Sequence, residues 1–339
     1  MQKNMPAFSG NLFLYRGENF DSNFYYFSGV DIDHSIFLLI DRKTYLFTPR
    51  MNEAIARKEF LNGKIIVYAG GLDLFYRMIK GLKLGCDMQN LSASFARKIG
   101  EQCKLEDASD SLLSIRSQKN PDELRNVQLA VKITKEIFDS LDFSKAKTEL
   151  DLRRQILIEM LERDVEPAFE PIVASGENTR FPHYRAGKGK IVGSDIVLVD
   201  MGVRVGHYCS DLTRCFFPNN GGINRSNRKK AKYKREYERL ENVCTTIVDS
   251  LADYVTGAEV SLLSKKAMKK ANFPEMIHSI GHGVGLDIHE YPRLGMKSKD
   301  SIKNSVIAIE PAFYRQTSTG YGMRYEETVW FDGKKARIL

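Results

Sequence analysis

Five residues able to hold a divalent metal occur in the second half of the sequence, in the order Asp200, Asp211, His282, Glu310 and Glu326. Asp200 closes the apolar run IVLVD, Asp211 lies in CSDLTR, His282 in IGHGVGLDIHE, Glu310 in VIAIEP and Glu326 in GMRYEE. Four carboxylates and one imidazole, without a thiolate, suit hard or borderline ions such as Mn, Co, Fe or Zn. The four carboxylates carry more negative charge than one divalent ion neutralises. Two ions sharing bridging carboxylates would balance it, and paired ions suit hydrolysis by a shared hydroxide.

A lone aspartate at a strand end is most often a turn former, and Glu310 before Pro311 could simply end a strand. Five such residues in one half-chain are better explained together, as one site. His183, His278, His282 and His289 lie in the same half, in glycine- or proline-marked contexts. The spacing of His278 and His282 would align both rings on a helical turn. Gly281 and Gly283 flank His282, however, and point instead to a strand or loop that approaches a ligand closely.

The elements that must position these residues can be read around them. Residues 196–199 form an apolar strand into Asp200, and 201–208 lead to a return strand through Asp211 and 215–217. That pattern predicts a hairpin or meander presenting two aspartates. The last segments, 306–310 and 324–331, read as strands. In the final one the period of two puts Arg324, Glu326 and Thr328 on one face and Tyr325, Glu327 and Val329 on the other. One strand can thus aim a ligand and a guanidinium into the same cavity. Helices are expected at about 228–254 and 262–270. Two more begin at Asn120-Pro121-Asp122-Glu123, a capping box with proline at the first helical position, and at Thr148. Leu152, Ile156 and Met160 share one face of the second.

Residues 1–115 read as a mixed α/β domain, with strands at Ser35–Ile40, 45–48 and Lys64–Tyr68 and helices at 52–61, 72–79 and 91–103. The polar stretch 106–111 marks its end, and 116–339 forms the second domain. The first domain carries no phosphate loop and no catalytic motif, so an accessory or dimerisation role is expected.

The chain has 339 residues, enough for two domains. Its longest early apolar run, 36–40, is far too short to span a membrane, and the N-terminus lacks an apolar leader core. Five cysteines without a CxxC pair argue against disulfides and zinc–thiolate sites. A cytoplasmic protein is expected. The net charge is +8, part of it in the basic stretch 225–235. Glu236, Glu238 and Glu241 follow, so that stretch reads as a solvated helix start with i,i+4 partners and no specific nucleic acid.

The segments EPIVASGENTRFPH, DIVLVDMGVRVGHYCSDLTR, HSIGHGVGLDIHEYPR, VIAIEPAFY and GMRYEETV resemble the signature blocks of the pita-bread metallopeptidases, in family order. These include Xaa-Pro dipeptidases (prolidases), Xaa-Pro aminopeptidases and methionine aminopeptidases. The resemblance covers about residue 114 to the C-terminus, and the first domain is similar to the creatinase-type N-terminal domain. It implies an α/β N-terminal domain plus an α+β pita-bread catalytic domain. Asp200, Asp211 and Glu326 would hold one metal, and Asp211, His282, Glu310 and Glu326 the other, with Mn or Co as the expected ions and Zn or Fe as options. His289 would contact the substrate carbonyl, Glu310 would also shuttle protons, and His183 would join them in catalysis. His278, Arg293 and Arg324 would bind substrate, and Thr213 and Arg324 would orient ligands.

The implied reaction is hydrolysis of the bond before proline. That bond is a tertiary amide without an N–H, which general peptidases fail to recognise. Arg293, in HEYPR, matches an arginine expected to take the C-terminal carboxylate of a dipeptide bidentately, which favours an Xaa-Pro dipeptidase over an aminopeptidase acting on longer peptides. Tyr184 follows His183 where the family usually has a small residue and is expected to narrow the pocket. A homodimer is implied. The rival class is a non-enzymatic pita-bread binding protein. Such relatives usually lose ligands, and all five are kept here.

Overall fold

A computed structural model describes residues 8–218, 225–317 and 320–339; the side chains of 225–227 lie outside the description. The chain divides into two compact units, Met1–Arg116 and Ser117–Leu339.

In the first unit six strands form one sheet: β1 (Leu12–Arg16), β2 (Ser35–Ile40), β3 (Lys43–Pro49), β4 (Lys64–Tyr68), β5 (Lys83–Cys86) and β6 (Lys104–Asp107), in the order β4-β3-β2-β1-β5-β6. The central strands are apolar along their length because helices cover both faces. Leu12, Leu14, Phe37 and Leu39 pack with Phe24 and Phe27 of helix α1 (Ser22–Ser28). Phe13, Ile36 and Leu38 pack on the other side with Phe75 and Ile79 of α3 (Asp73–Ile79) and Ile99 of α4 (Ala93–Gly100). Helix α2 (Glu53–Glu59) and helix α5 (Ser109–Ser117) complete the set. The β2–β3 turn uses Asp41 and Arg42 at φ +48° and +63°, the handedness that matches strand twist in a two-residue hairpin. The polar run 106–111 is not a linker. It is the end of edge strand β6 and the first turn of α5, two places where polar side chains meet water.

The second unit opens with α6 (Pro121–Ser140) and α7 (Glu149–Glu162). Asn120 Oδ1 accepts from the N–H groups of Asp122 and Glu123 at 2.9 and 3.0 Å, and Glu123 accepts in return from the Asn120 N–H at 2.9 Å. Thr148 and Asp151 repeat the box on α7. Each such cap is worth about 1 kcal/mol. Leu152, Ile156 and Met160 are buried as one stripe of α7, which lies on β8.

Strands β7 (Glu166–Pro167), β8 (Ile172–Ser175), β9 (Val197–Met201), β10 (Val203–Val205), β11 (Tyr208–Cys209) and β12 (Leu212–Phe216) follow. β12, β9 and β8 form one antiparallel sheet, and β10 and β11 form the hairpin that returns the chain from β9 to β12. Helices α8 (Arg225–Ser250) and α9 (Gly257–Lys270) come next. A second sheet orders β14 (Glu290–Arg293), β13 (Gly281–Gly283), β15 (Ser305–Ile309), β18 (Glu327–Phe331) and β19 (Ala336–Ile338), while β16 (Ala312–Tyr314) pairs with β17 (Gly322–Arg324). Ile307, Ile309, Val329 and Phe331 of this sheet share a core with Leu240, Cys244 and Ile247 of α8 and Val260 and Met268 of α9. Fully burying such a side chain stabilises by roughly 1.5–3 kcal/mol, so the sheet beneath the acidic residues is rigidly backed.

Most of the basic stretch is solvated, with Arg228, Lys229, Lys232, Lys234 and Arg235 exposed, but several of its partners are tertiary rather than helical neighbours. Lys229 pairs with Asp195 at 3.2 Å, buried Lys230 donates to the Pro218 carbonyl, and Glu236 binds Arg315 and Tyr321 rather than a helical neighbour. The side chain of Arg225 falls outside the described residues. Among the described residues no helix is long and apolar enough to cross a membrane.

Candidate metal centre

Each acidic residue sits where a paired strand ends or turns. Asp200 is the penultimate residue of β9, opposite Thr213 on β12 and Ile172 on β8. Asp211 immediately precedes β12. Glu310 follows β15 and Glu326 precedes β18, one residue beyond the Ile309–Glu327 pair of that ladder. His282 lies in the strand β13, not on a helix. Its flanking glycines are demanded by space: a Cβ on Gly281 would come within 1.8 Å of the Ala308 carbonyl oxygen, and one on Gly283 within 2.2 Å of that of Tyr291.

The last strand expected from sequence is interrupted, because Tyr325 and Glu326 lie between β17 and β18. The alternation survives the break. Arg324 and Glu326 both face a cavity of about 450 Å³, while the Tyr325 hydroxyl donates to Glu327 at 2.8 Å and Glu327 pairs with Arg214 at 2.5 Å. His183, Asp200, Asp211, His278, His282, His289 and Glu310 line the same cavity.

Ligand atoms of Asp211, His282 and Glu326 all lie within 4.8 Å of one another, with His282 Nε2 3.4 Å from Asp211 Oδ2. The Glu310 carboxylate is 3.8 Å from His278 Nδ1, and the rings of His282 and His289 meet edge-on at 4.2 Å. Behind the carboxylates, Arg324 donates to Asp200 Oδ2 at 2.5 Å, to Thr213 Oγ1 at 2.9 Å and to the Tyr314 hydroxyl at 2.8 Å. Thr213 in turn donates to Glu326 Oε2 at 2.5 Å. Arg324 is buried, and three of its five N–H donors go to these partners, so it braces Asp200 and, through Thr213, Glu326.

Charge in this cavity is unbalanced. Burial, then the carboxylates of Glu326, Asp200 and Glu310, raises Asp211 well above its ordinary range. Burial followed by Glu326 raises Glu310, and burial followed by Asp200 pushes Glu326 up to about 7. Burial drives His282 down to about 3, with His289 adding to it, so its imidazole is neutral and free to donate a lone pair. Asp200 Oδ1 is buried without a hydrogen-bond partner. An orphaned carboxylate oxygen, three clustered donor groups and clustered acids held back from ionising all fit a divalent cation, which would satisfy each of them.

Comparison with known proteins bears on this geometry. Residues 125–332, more than half of the chain, match the model of metallopeptidase family M24, and residues 12–118 match the creatinase/prolidase N-terminal domain. The chain belongs to metallopeptidase family M24. It is 27% identical to an Xaa-Pro dipeptidase of Pyrococcus furiosus over 94% of this chain and 90% of that protein. It is 31% identical to a putative Xaa-Pro aminopeptidase of Mycoplasma pneumoniae over 66% and 65% of the two chains. The prolidase structure from Pyrococcus furiosus superposes with a TM-score of 0.83 at 25% identity, covering 97% of this chain and 95% of that one. An X-Pro aminopeptidase from Thermotoga maritima shares the fold at a TM-score of 0.85 and 22% identity, over 97% and 94%. This M24 metallopeptidase therefore combines a creatinase-type α/β domain with a pita-bread catalytic domain.

Within the M24 domain two expectations meet a different arrangement. Arg293 does not line the cavity. Its guanidinium binds Asp300, with Nε at 3.0 Å, and lies over the Tyr291 ring at 4.3 Å, with its side chain 60% exposed. Tyr184 does not narrow the cavity either, since its hydroxyl accepts from Asn178 at 2.9 Å, away from the lining. Sequence reasoning gave no role to Tyr314, which joins His278 Nε2 at 3.2 Å to Arg324. Its signal was the alternation of AFY after Glu310. It also missed the buried Lys119–Glu290 pair at 2.6 Å, beside His289; the partners are 171 residues apart and carry no local signature.

Proposed function

We propose that this protein is a dinuclear-metal, proline-specific peptidase acting on Xaa-Pro dipeptides. The observation that carries the reading is the convergence of Asp211, His282 and Glu326, with Asp200 and Glu310, in one cavity of a chain similar to Xaa-Pro dipeptidases along nearly its whole length. Asp200, Asp211 and Glu326 would hold one ion and Asp211, His282, Glu310 and Glu326 the other, with Mn or Co as the preferred metals. Such ions would supply a nucleophile from water at neutral pH and polarise the scissile carbonyl. The protein's own groups complete the chemistry. His289, whose pKa burial lowers, is a neutral hydrogen-bond partner for the carbonyl oxygen as it gains charge. Glu310, whose carboxylate lines the same cavity, would carry a proton to the leaving proline nitrogen. His183 and His278 line the wall that faces the substrate.

In this reading residues 1–115 are an accessory domain to the catalytic unit 116–339, and two chains form a homodimer. Five buried, unpaired thiols fit a reducing, cytoplasmic setting. A second reading, an Xaa-Pro aminopeptidase acting on longer peptides, is favoured by one observation: Arg293, the expected carboxylate anchor, is engaged with Asp300. The test is hydrolysis of Xaa-Pro beside Xaa-Pro-Xaa by the Mn-loaded protein. Preferential cleavage of the dipeptide supports the dipeptidase, preference for the tripeptide supports the aminopeptidase, and cleavage of neither refutes both.

A further inference from the structure

His183 reaches the cavity from the irregular segment between β8 and β9, and something must hold that segment in place. Glu149, the first residue of α7, is fully buried. Its Oε1 accepts from the Ser175 N–H and hydroxyl, both at 2.8 Å, and from Asn178 Nδ2 at 2.9 Å. Oε2 accepts from the Gly187 N–H at 3.1 Å. Tyr184, next to His183, shares the Asn178 amide. The backbone doubles the tie. The N–H groups of Glu149 and Leu150, unsatisfied donors of a helix's first turn, donate to the carbonyls of Gly189 and Gly187 at 2.9 and 3.1 Å. A Cβ on Gly189 would come within 2.4 Å of the Glu149 carboxyl, so a larger residue there would displace the carboxylate from these donors.

Among the described residues no cation pairs with Glu149; neutral donors hold it. A buried carboxylate without a counter-ion is a costly way to stabilise a fold. It is an effective way to gather several donors from one loop, because a carboxylate accepts on about four lone-pair sites and donates on none. The anchored residues, 175, 178, 187 and 189, bracket the segment 181–183, of which Pro182 and His183 line the cavity.

We propose that Glu149 is a positioning residue that fixes the His183-bearing loop against the catalytic cavity, resting on the reading that His183 contacts substrate. It touches no substrate itself. In Glu149→Gln one acceptor oxygen becomes an amide N–H set against the loop's own donors, which releases the loop.

Two readouts test this on the full, metal-loaded chain. The first is trypsin cleavage after Arg185 and Lys188, both exposed, mapped by mass spectrometry. Glu149→Gln is expected to speed it about ten-fold, and Tyr184→Phe, which keeps the carboxylate, about two-fold. The second is KM for Xaa-Pro. Glu149→Gln is expected to raise it about ten-fold in the wild-type background but less than about two-fold in His183→Ala, because a positioning residue has nothing left to position. Equal loop cleavage in wild type and Glu149→Gln, or effects on KM that multiply, would overturn the proposal. Should Glu149→Gln not fold, the Tyr184→Phe comparison stands in, and no change in either readout overturns it. Failure of the wild type to cleave Xaa-Pro sinks the dipeptidase reading, while loop cleavage still decides whether Glu149 is the tether.

Discussion

Thr213 stands opposite Asp200 in the β9–β12 ladder, and its hydroxyl donates to Glu326 Oε2 across the gap between two sheets. Arg324 Nε donates to that same hydroxyl, which fixes the direction in which its proton points. One small side chain therefore sets the orientation of a carboxylate contributed by another sheet. Thr213→Val keeps the shape and removes the donor. It is expected to weaken metal binding about 10- to 100-fold, as loss of an outer partner of a ligand typically does. Thr213→Ser should remain within about three-fold of wild type. Isothermal titration of the chelated protein with Mn measures both.

Metal removal should leave a pH signature. The raised carboxyls of Asp211, Glu310 and Glu326 mean that the metal-free fold holds protons more tightly than the unfolded chain. The sign follows from linkage. Their contribution to stability is full below the unfolded carboxyl range of about 4 and is lost as pH rises through the folded values; for Glu326 that value is about 7. Metal binding runs the other way, because ligands must be deprotonated. The Tm difference between Mn-loaded and chelated protein is thus expected to widen from about pH 5.5 to about pH 8. A difference that stays constant across that range would contradict the site.

Lys119 and Glu290 form an ion pair with both side chains only 1% exposed, next to His289 in sequence. Breaking a buried pair from one side strands a charge, so Lys119→Met is expected to cost about 3–5 kcal/mol in urea unfolding. The double variant Lys119→Met/Glu290→Gln should cost less than the single one, since no uncompensated carboxylate remains.

Arg293 offers a further test. Its pair with Asp300 is exposed, and exposed pairs contribute about 0–1 kcal/mol. Arg293→Ala should therefore change KM for Xaa-Pro by less than about five-fold. A larger rise confined to dipeptides would show that the guanidinium leaves Asp300 for the substrate carboxylate.

Much of the site was legible in sequence because strand ends and side-chain alternation are local properties. The apolar runs before Asp200 and Glu310 become β9 and β15, and the period of two separates Glu326 from Glu327 even though the strand breaks between them. The caps at Asn120 and Thr148 are equally local. What sequence could not show is set by tertiary placement. Glu149 looks like an ordinary first-turn acid until Ser175, Asn178 and Gly187 are seen around it. The outward turn of Arg293 depends on Asp300, seven residues on, and the strands β1, β5 and β6 are recognisable only through their neighbours in the sheet.

The most direct measurement is the rate of proline release from an Xaa-Pro dipeptide, beside alanine release from Xaa-Ala, as chelated protein is titrated with Mn. Proline release is expected to rise until about two ions are bound per chain, with Xaa-Ala cleaved at least ten-fold more slowly. Full activity at one bound ion would contradict the dinuclear centre built on Asp211 and Glu326. Equal rates on both dipeptides, or no hydrolysis at two bound ions, would contradict the proline-specific dipeptidase.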